Sequence, residues 1–131
     1  MPGKLTAYVA QETTNGVDIV DLAKHAVSGS IQTGVRPADA IASRDGKRVF
    51  VANGGGGSVV AIDVATGKIV GTATVGKRSW NMALTPDGAK LYTADGRSNS
   101  VSVIDTKTFT TVKTIPVGGL PWGVFIRTPR Q

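Results

Sequence analysis

The stretch VFVANGGGGSVVAIDVATGKIVGTATVGKRSWNMALTPDG, residues 49–88, decides the fold, because the chain spells variants of it three times. Tyr8, Phe50 and Tyr92 stand 42 residues apart. Ala10, Ala52 and Ala94 keep the same interval, as do Asp21, Asp63 and Asp105, and Gly34, Gly76 and Gly118. Asp45-Gly46 returns as Asp87-Gly88, and no insertion breaks the period. A fixed period of this size marks a repeat architecture, in which each unit buries its apolar faces against its neighbours.

Within the quoted unit, residues 49–53 are rich in β-branched and aromatic side chains and stop at the glycines 54–57. Residues 59–64 form a second apolar run, ended by the turn signal at 65–68. Residues 69–75 alternate and close on Gly76. Residues 80–85 come last, ended by Pro86-Asp87-Gly88, a strong turn sequence. Four short strands per unit, repeated without helical periodicity, predict an all-β chain of β-propeller blades, three four-stranded blades in all. The first two strands are apolar on both faces, as suits inner strands sandwiched between blades. The expected organisation is an N-terminal tail at 1–4 and a three-blade segment at 5–131, with repeats at 5–46, 47–88 and 89–130.

The segments Tyr8-Val9-Ala10-Gln11, Phe50-Val51-Ala52-Asn53 and Tyr92-Thr93-Ala94-Asp95 resemble the Tyr-Val-Thr-Asn signature of the YVTN-type β-propeller repeat family. The Val-x-Val-Ile-Asp-Thr pattern at 101–106, Thr-Ile-Pro-Val-Gly at 114–118 and the Pro-Asp-Gly turn at 86–88 extend the likeness over nearly the whole chain. Gln11 and Asp95 replace the signature Asn, and Arg44 stands where the second turn has Pro86. A WD40 reading fits the period but lacks the Gly-His and Trp-Asp marks. The resemblance implies four strands per blade, A to D from the channel outward. In that frame the chain begins on a B strand at 5–10 and ends on an A strand at 122–127.

Propellers usually have roughly 4–8 blades, so three leave a half-ring with an unpaired inner edge, an aggregation hazard. Two chains related by a two-fold axis would close a six-bladed ring, the last A strand of each completing the first blade of the other. Leu5, Ala7 and Val9 would then meet Trp122, Val124 and Ile126 of the second copy. A homodimer is therefore expected. A three-chain, nine-bladed ring has the same local logic, and a fragment of a longer propeller is the plainer alternative.

Fifteen Lys and Arg against nine acids give a net charge of +6, which permits attraction to nucleic acid or other anions. The basic residues are scattered through turns, as on an ordinary solubilising surface. Without cysteine there is no thiolate chemistry and no disulfide. No apolar run reaches the roughly 18 residues of a membrane helix, so membrane insertion is not expected. The first residues hold no signal-peptide core, so the chain as it stands reads as cytoplasmic, although the resembling family is often exported.

The D-to-A loops, 34–37, 76–79 and 118–121, should share one face with the B-to-C loops. Trp80 and Trp122, with Asn81 beside them and Arg36, Lys77, Arg78 and Arg97 nearby, could stack on and neutralise an anionic planar ligand or an exposed base. The plainer reading is that the indoles wedge between blades. Asp21, Asp63 and Asp105 each end a C strand on a different blade, so they read as turn caps and not as a carboxylate cluster. His25, the only histidine, sits in a C-to-D turn at the rim. The glycines 54–57 lack the Lys-Ser/Thr ending of a phosphate loop. Ser and Thr have no partner base.

No catalytic residue, metal site or cofactor is expected on these grounds. The function that follows is a non-enzymatic binding scaffold of two chains with an unidentified ligand. Binding of nucleic acid or another anionic ligand through the basic, Trp-bearing face is one alternative. Membership of a quinone-linked periplasmic oxidation system, a setting the family resemblance implies, is another. Against a redox cofactor stand the lone rim histidine and the apolar A strands.

Overall fold

The structure, a computed structural model, describes residues 5–128. The expected tail at 1–4 and the last residues of the third repeat lie outside them. Eleven strands fall into three antiparallel sheets. Strands β1 (Thr6–Gln11), β2 (Gly16–Asp21) and β3 (Ala26–Gln32) form the first, in that order. The second is β4 (Pro37–Ala42), β5 (Arg48–Asn53), β6 (Ser58–Asp63) and β7 (Ile69–Thr74). The third is β8 (Ser79–Leu84), β9 (Lys90–Asp95), β10 (Ser100–Asp105) and β11 (Thr110–Pro116). These repeated sheets have the build of propeller blades.

The sequence period is reproduced in the backbone. Tyr8 pairs with Ile19, Phe50 with Ala61 and Tyr92 with Val103, one register in three sheets. Each third strand pairing also carries a β-bulge at the same place, after Ile19, Ala61 and Val103. Left-handed residues occupy matching turn slots: Asn15, Gly57 and Asn99; His25, Gly67 and Phe109; Arg36, Arg78 and Leu120.

Alternation along β5 and β6 splits the core in two. Val49, Val51, Val60 and Ile62 pack toward the first sheet with Val17 and Tyr8. Phe50, Ala52, Val59 and Ala61 pack toward the third with Met82, Leu91 and Ile104. Phe50 and Phe109 stack with ring centroids 5.5 Å apart across that second interface. Each large side chain so buried contributes about 2 kcal/mol.

The first sheet lacks an innermost strand, and β1 is only partly covered where its counterparts β5 and β9 are largely buried. At the other end the expected A strand over 122–127 is corrected: residues 121–128 make no strand. A strand needs a neighbour to hydrogen-bond, and this segment has none within the chain. It is held by side-chain contacts instead, and Leu5, Trp122 and Phe125 are 73, 68 and 88 % exposed. No helix among the described residues is long and apolar enough to cross a membrane.

Candidate functional site

The site-bearing face is built by the D-to-A loops, each of which reverses the chain through a residue with positive φ. Arg36 (51°), Arg78 (60°) and Leu120 (55°) adopt this conformation at equivalent positions, at a cost of about 1 kcal/mol for a side chain other than glycine. Hydrogen bonds hold them there. The Asn15 side-chain oxygen accepts from the Arg36 N–H (3.1 Å), and that of Asn99 from the Leu120 N–H (2.9 Å). In the middle loop, where Gly57 replaces the asparagine, the Arg78 N–H donates to the Gly54 carbonyl (3.1 Å). Donation from Gly55 to Val35 and from Arg97 to Lys77, both 3.0 Å, ties each loop to the blade it enters.

The loops gather the predicted cations. Arg36, Lys77, Arg78 and Arg97 line a groove of about 610 Å³ with Val35, Val75 and the glycines 54–57. No carboxylate lines it. Among the described residues, none of the four cations forms an ion pair.

Trp80 and Trp122 line a separate hollow of about 190 Å³ with Gly96, Arg97 and Leu120. Their rings stack on one another, centroids 4.8 Å apart and planes inclined by 23°. The Arg78 guanidinium lies 5.5 Å from the Trp80 ring centre, a cation–π contact. Gly96 makes this pose possible, since a Cβ there would stand 2.5 Å from the Trp80 Nε1. Trp80 is partly covered, whereas Trp122 lies in the open. Arg97 alone belongs to both the groove and the hollow.

Asn81 does not join them. Its carboxamide oxygen accepts from the Val124 N–H (3.1 Å), and its nitrogen approaches the Asp39 carboxylate at 3.5 Å. Asp39 itself accepts from the backbone of the next inner strand, Met82 N–H at 2.8 Å, and from its own neighbour Ala40 at 3.0 Å. Asp39 thus ties β4 to β8 and Asn81 ties β8 to the segment 121–128, so the inner strands, expected to be apolar, also carry polar links. Burial raises the Asp39 pKa, and the Met82 and Ala40 N–H groups oppose that rise. The sequence held a signal for this belt: Asp39, Asn81 and Gly123 share one slot of the period.

A second missed residue is Asp95, fully buried beneath the loops. Ser79 (2.6 Å), Thr93 (2.7 Å) and Ser102 (2.5 Å) donate hydroxyls to its carboxylate, and the Gly76 N–H adds a bond at 3.2 Å. It is a structural hub. Asp21, Asp63 and Asp105 each accept backbone N–H bonds from the turn that follows, and His25 lies exposed in its turn. Among the described residues no three His, Asp or Glu side chains converge as metal ligands would.

A family model described as a domain of unknown function, DUF5074, matches residues 3–125. No curated protein matches the chain. Among solved structures it is similar to a hydrazine synthase of Kuenenia stuttgartiensis, at 24 % identity and a TM-score of 0.86, over 90 % of this chain and 34 % of that one. It is similar also to the dihydro-heme d1 dehydrogenase NirN in complex with DHE, at 21 % identity and a TM-score of 0.76, over 92 % and 26 %. The WD40 β-propeller domain of Doa1 matches at 13 % identity and a TM-score of 0.79, over 95 % and 41 %. The chain therefore spans about a third or less of the two enzymes' length. At these identities the likeness shows an all-β, propeller-type fold.

Three expectations are corrected by this company. A non-enzymatic binding scaffold, and with it the absence of any enzymatic role, conflicts with neighbours that are a synthase and a dehydrogenase. The cytoplasmic reading, which rested on a missing leader, is withdrawn in the same company.

Proposed function

From the premise that the chain belongs to the DUF5074 family, we propose that it supplies YVTN-type propeller blades to a redox enzyme working outside the cytoplasm. Two copies close one six-bladed ring in this reading. The segment 122–127 of each takes the vacant inner place beside β1 of the other, an exchange of the β-augmentation kind. Leu5, Ala7 and Val9 face Trp122, Val124 and Ile126 across the seam.

The observation that carries the ring is the contrast between β1, partly covered, and β5 and β9, buried by the A strand each possesses. A smaller one supports it. A Cβ on Gly34 or Gly76 would collide with the side chain of Asn53 or Asp95, yet one on Gly118 meets nothing. The period puts Gln11 of the second copy in that empty place. Each seam adds about four or five backbone hydrogen bonds at roughly 1 kcal/mol net apiece.

The redox setting draws its support from the synthase and the dehydrogenase. In this reading the electron chemistry falls to a group seated on the assembly. The loop face bearing Arg36, Lys77, Arg78, Trp80, Arg97 and Trp122, steadied by Asn81, is where an anionic planar group of that kind is received. Two measurements test the reading. Light scattering across a dilution series should give twice the 13.5 kDa chain mass, and a well-folded monomer would sink the ring. Deleting the gene should abolish quinone-analogue reduction by the exported protein fraction, and undiminished reduction would remove the redox setting.

A further inference from the structure

The groove gathers four cations, no carboxylate lines it, and among the described residues none of the four forms an ion pair. Two of its arginines extend from left-handed residues whose N–H groups are tied to Asn15 and Gly54. The Arg97 and Lys77 loops are bonded to each other through their backbones. Like charges gathered in a chain of net charge +6 repel one another, and an anion between them would relieve that repulsion. The glycines 54–57, Val35 and Val75 line the groove together with the cations, so a flat apolar body would find carbon surface beside the charges. At about 610 Å³ the groove has the size of a small-molecule site and not of a track for a long polymer.

We propose that this groove binds a small polyanion, a molecule carrying two or more carboxylate or phosphate groups on a compact body. The guanidinium groups of Arg36, Arg78 and Arg97 grip oxygens in pairs, and Lys77 adds a point charge. The inference rests on the loop face being the working face. It does not need the ring, because every lining residue comes from one chain.

Isothermal calorimetry with two probes tests it. Trimesate, a benzene tricarboxylate, stands for the carboxylate class and inorganic pyrophosphate for the phosphate class, against sodium chloride at matched ionic strength. Saturable binding of either probe is expected, and the tighter of the two names the class. Arg36→Gly and Arg78→Gly should each weaken it at least about tenfold. Both positions have positive φ, so glycine is favoured there and a lost signal cannot be assigned to lost folding. Absence of saturable binding, or unchanged binding in the double variant, overturns the proposal. So does tighter binding of a single-stranded oligonucleotide than of either probe. A protein that is monomeric by light scattering yet binds trimesate or pyrophosphate keeps this inference and loses only the ring.

Discussion

Asp95 is a carboxyl side chain with no exposed surface, and its neighbours explain why it is tolerated. Four hydroxyls, of Ser79, Thr93, Ser100 and Ser102, and a backbone N–H satisfy its oxygens, and donors of this number make a buried carboxyl group acceptable. Asp95→Ala would strand those donors, and urea denaturation should show a loss of about 3 kcal/mol. Asp95→Asn should lose less, since Asn53 does the same work one blade earlier through Thr33 and Ser58. Gly76→Ala would press a Cβ to within 2.6 Å of the Asp95 Cβ, an overpacking worth about 2 kcal/mol. Gly118→Ala should be silent in the isolated chain. The exposed turn residues Asp45 and Asp87, and the half-buried Asp105 at the end of β10, have lowered pKa values, chiefly from backbone N–H bonds by Lys47, Ala89 and Thr108. Their contribution is present above the ordinary carboxylate pKa and is lost as pH falls below about 4. Asp39, raised by burial, has the opposite sign and favours the fold as it protonates. Melting curves between about pH 2 and 6 should show a steeper acid decline in wild type than in Asp87→Asn.

The strands were legible because each is a short alternating run between strong turn residues, and the period multiplied that signal by three. The segment 122–127 reads the same way and yet forms no strand, because strand structure is a property of pairs. Its apolar residues were visible in the sequence; the absence of a neighbour was not. If the ring closes as proposed, Ile126→Asp would put a charge into the seam and leave the three sheets untouched. Its circular dichroism should match wild type while the scattering mass falls to that of one chain. Arg44 shows the other way an element escapes the sequence. It looked like a degenerate position in the first Asp-Gly turn, but its guanidinium bonds the carbonyls of Leu84 (3.0 Å) and Thr85 (3.3 Å) and straps two blades together. Nothing local foretells a partner 40 residues away.

For the whole molecule, periodicity disclosed the architecture more readily than the work done on it. Arg36, Lys77, Arg78 and Arg97 were expected near Trp80 and Trp122 on one loop face, and they line one groove there. The separation of that groove from the tryptophan hollow was hidden, because spacing along a loop does not say which side chain turns inward. Asp39 was overlooked although its slot was known, since a lone carboxylate on an inner strand has no motif. Time acts on the molecule as well. The chain holds two Asn-Gly pairs, at Asn15-Gly16 and Asn53-Gly54, and such pairs lose ammonia spontaneously when the side chain is free to be attacked by the next amide. Asn53 is locked by its bonds to Thr33 and Ser58. Asn15 is exposed, with one bond, to the Arg36 N–H. Peptide mass mapping of aged protein should find Asn15 converted and Asn53 intact, so the loop that presents Arg36 ages first.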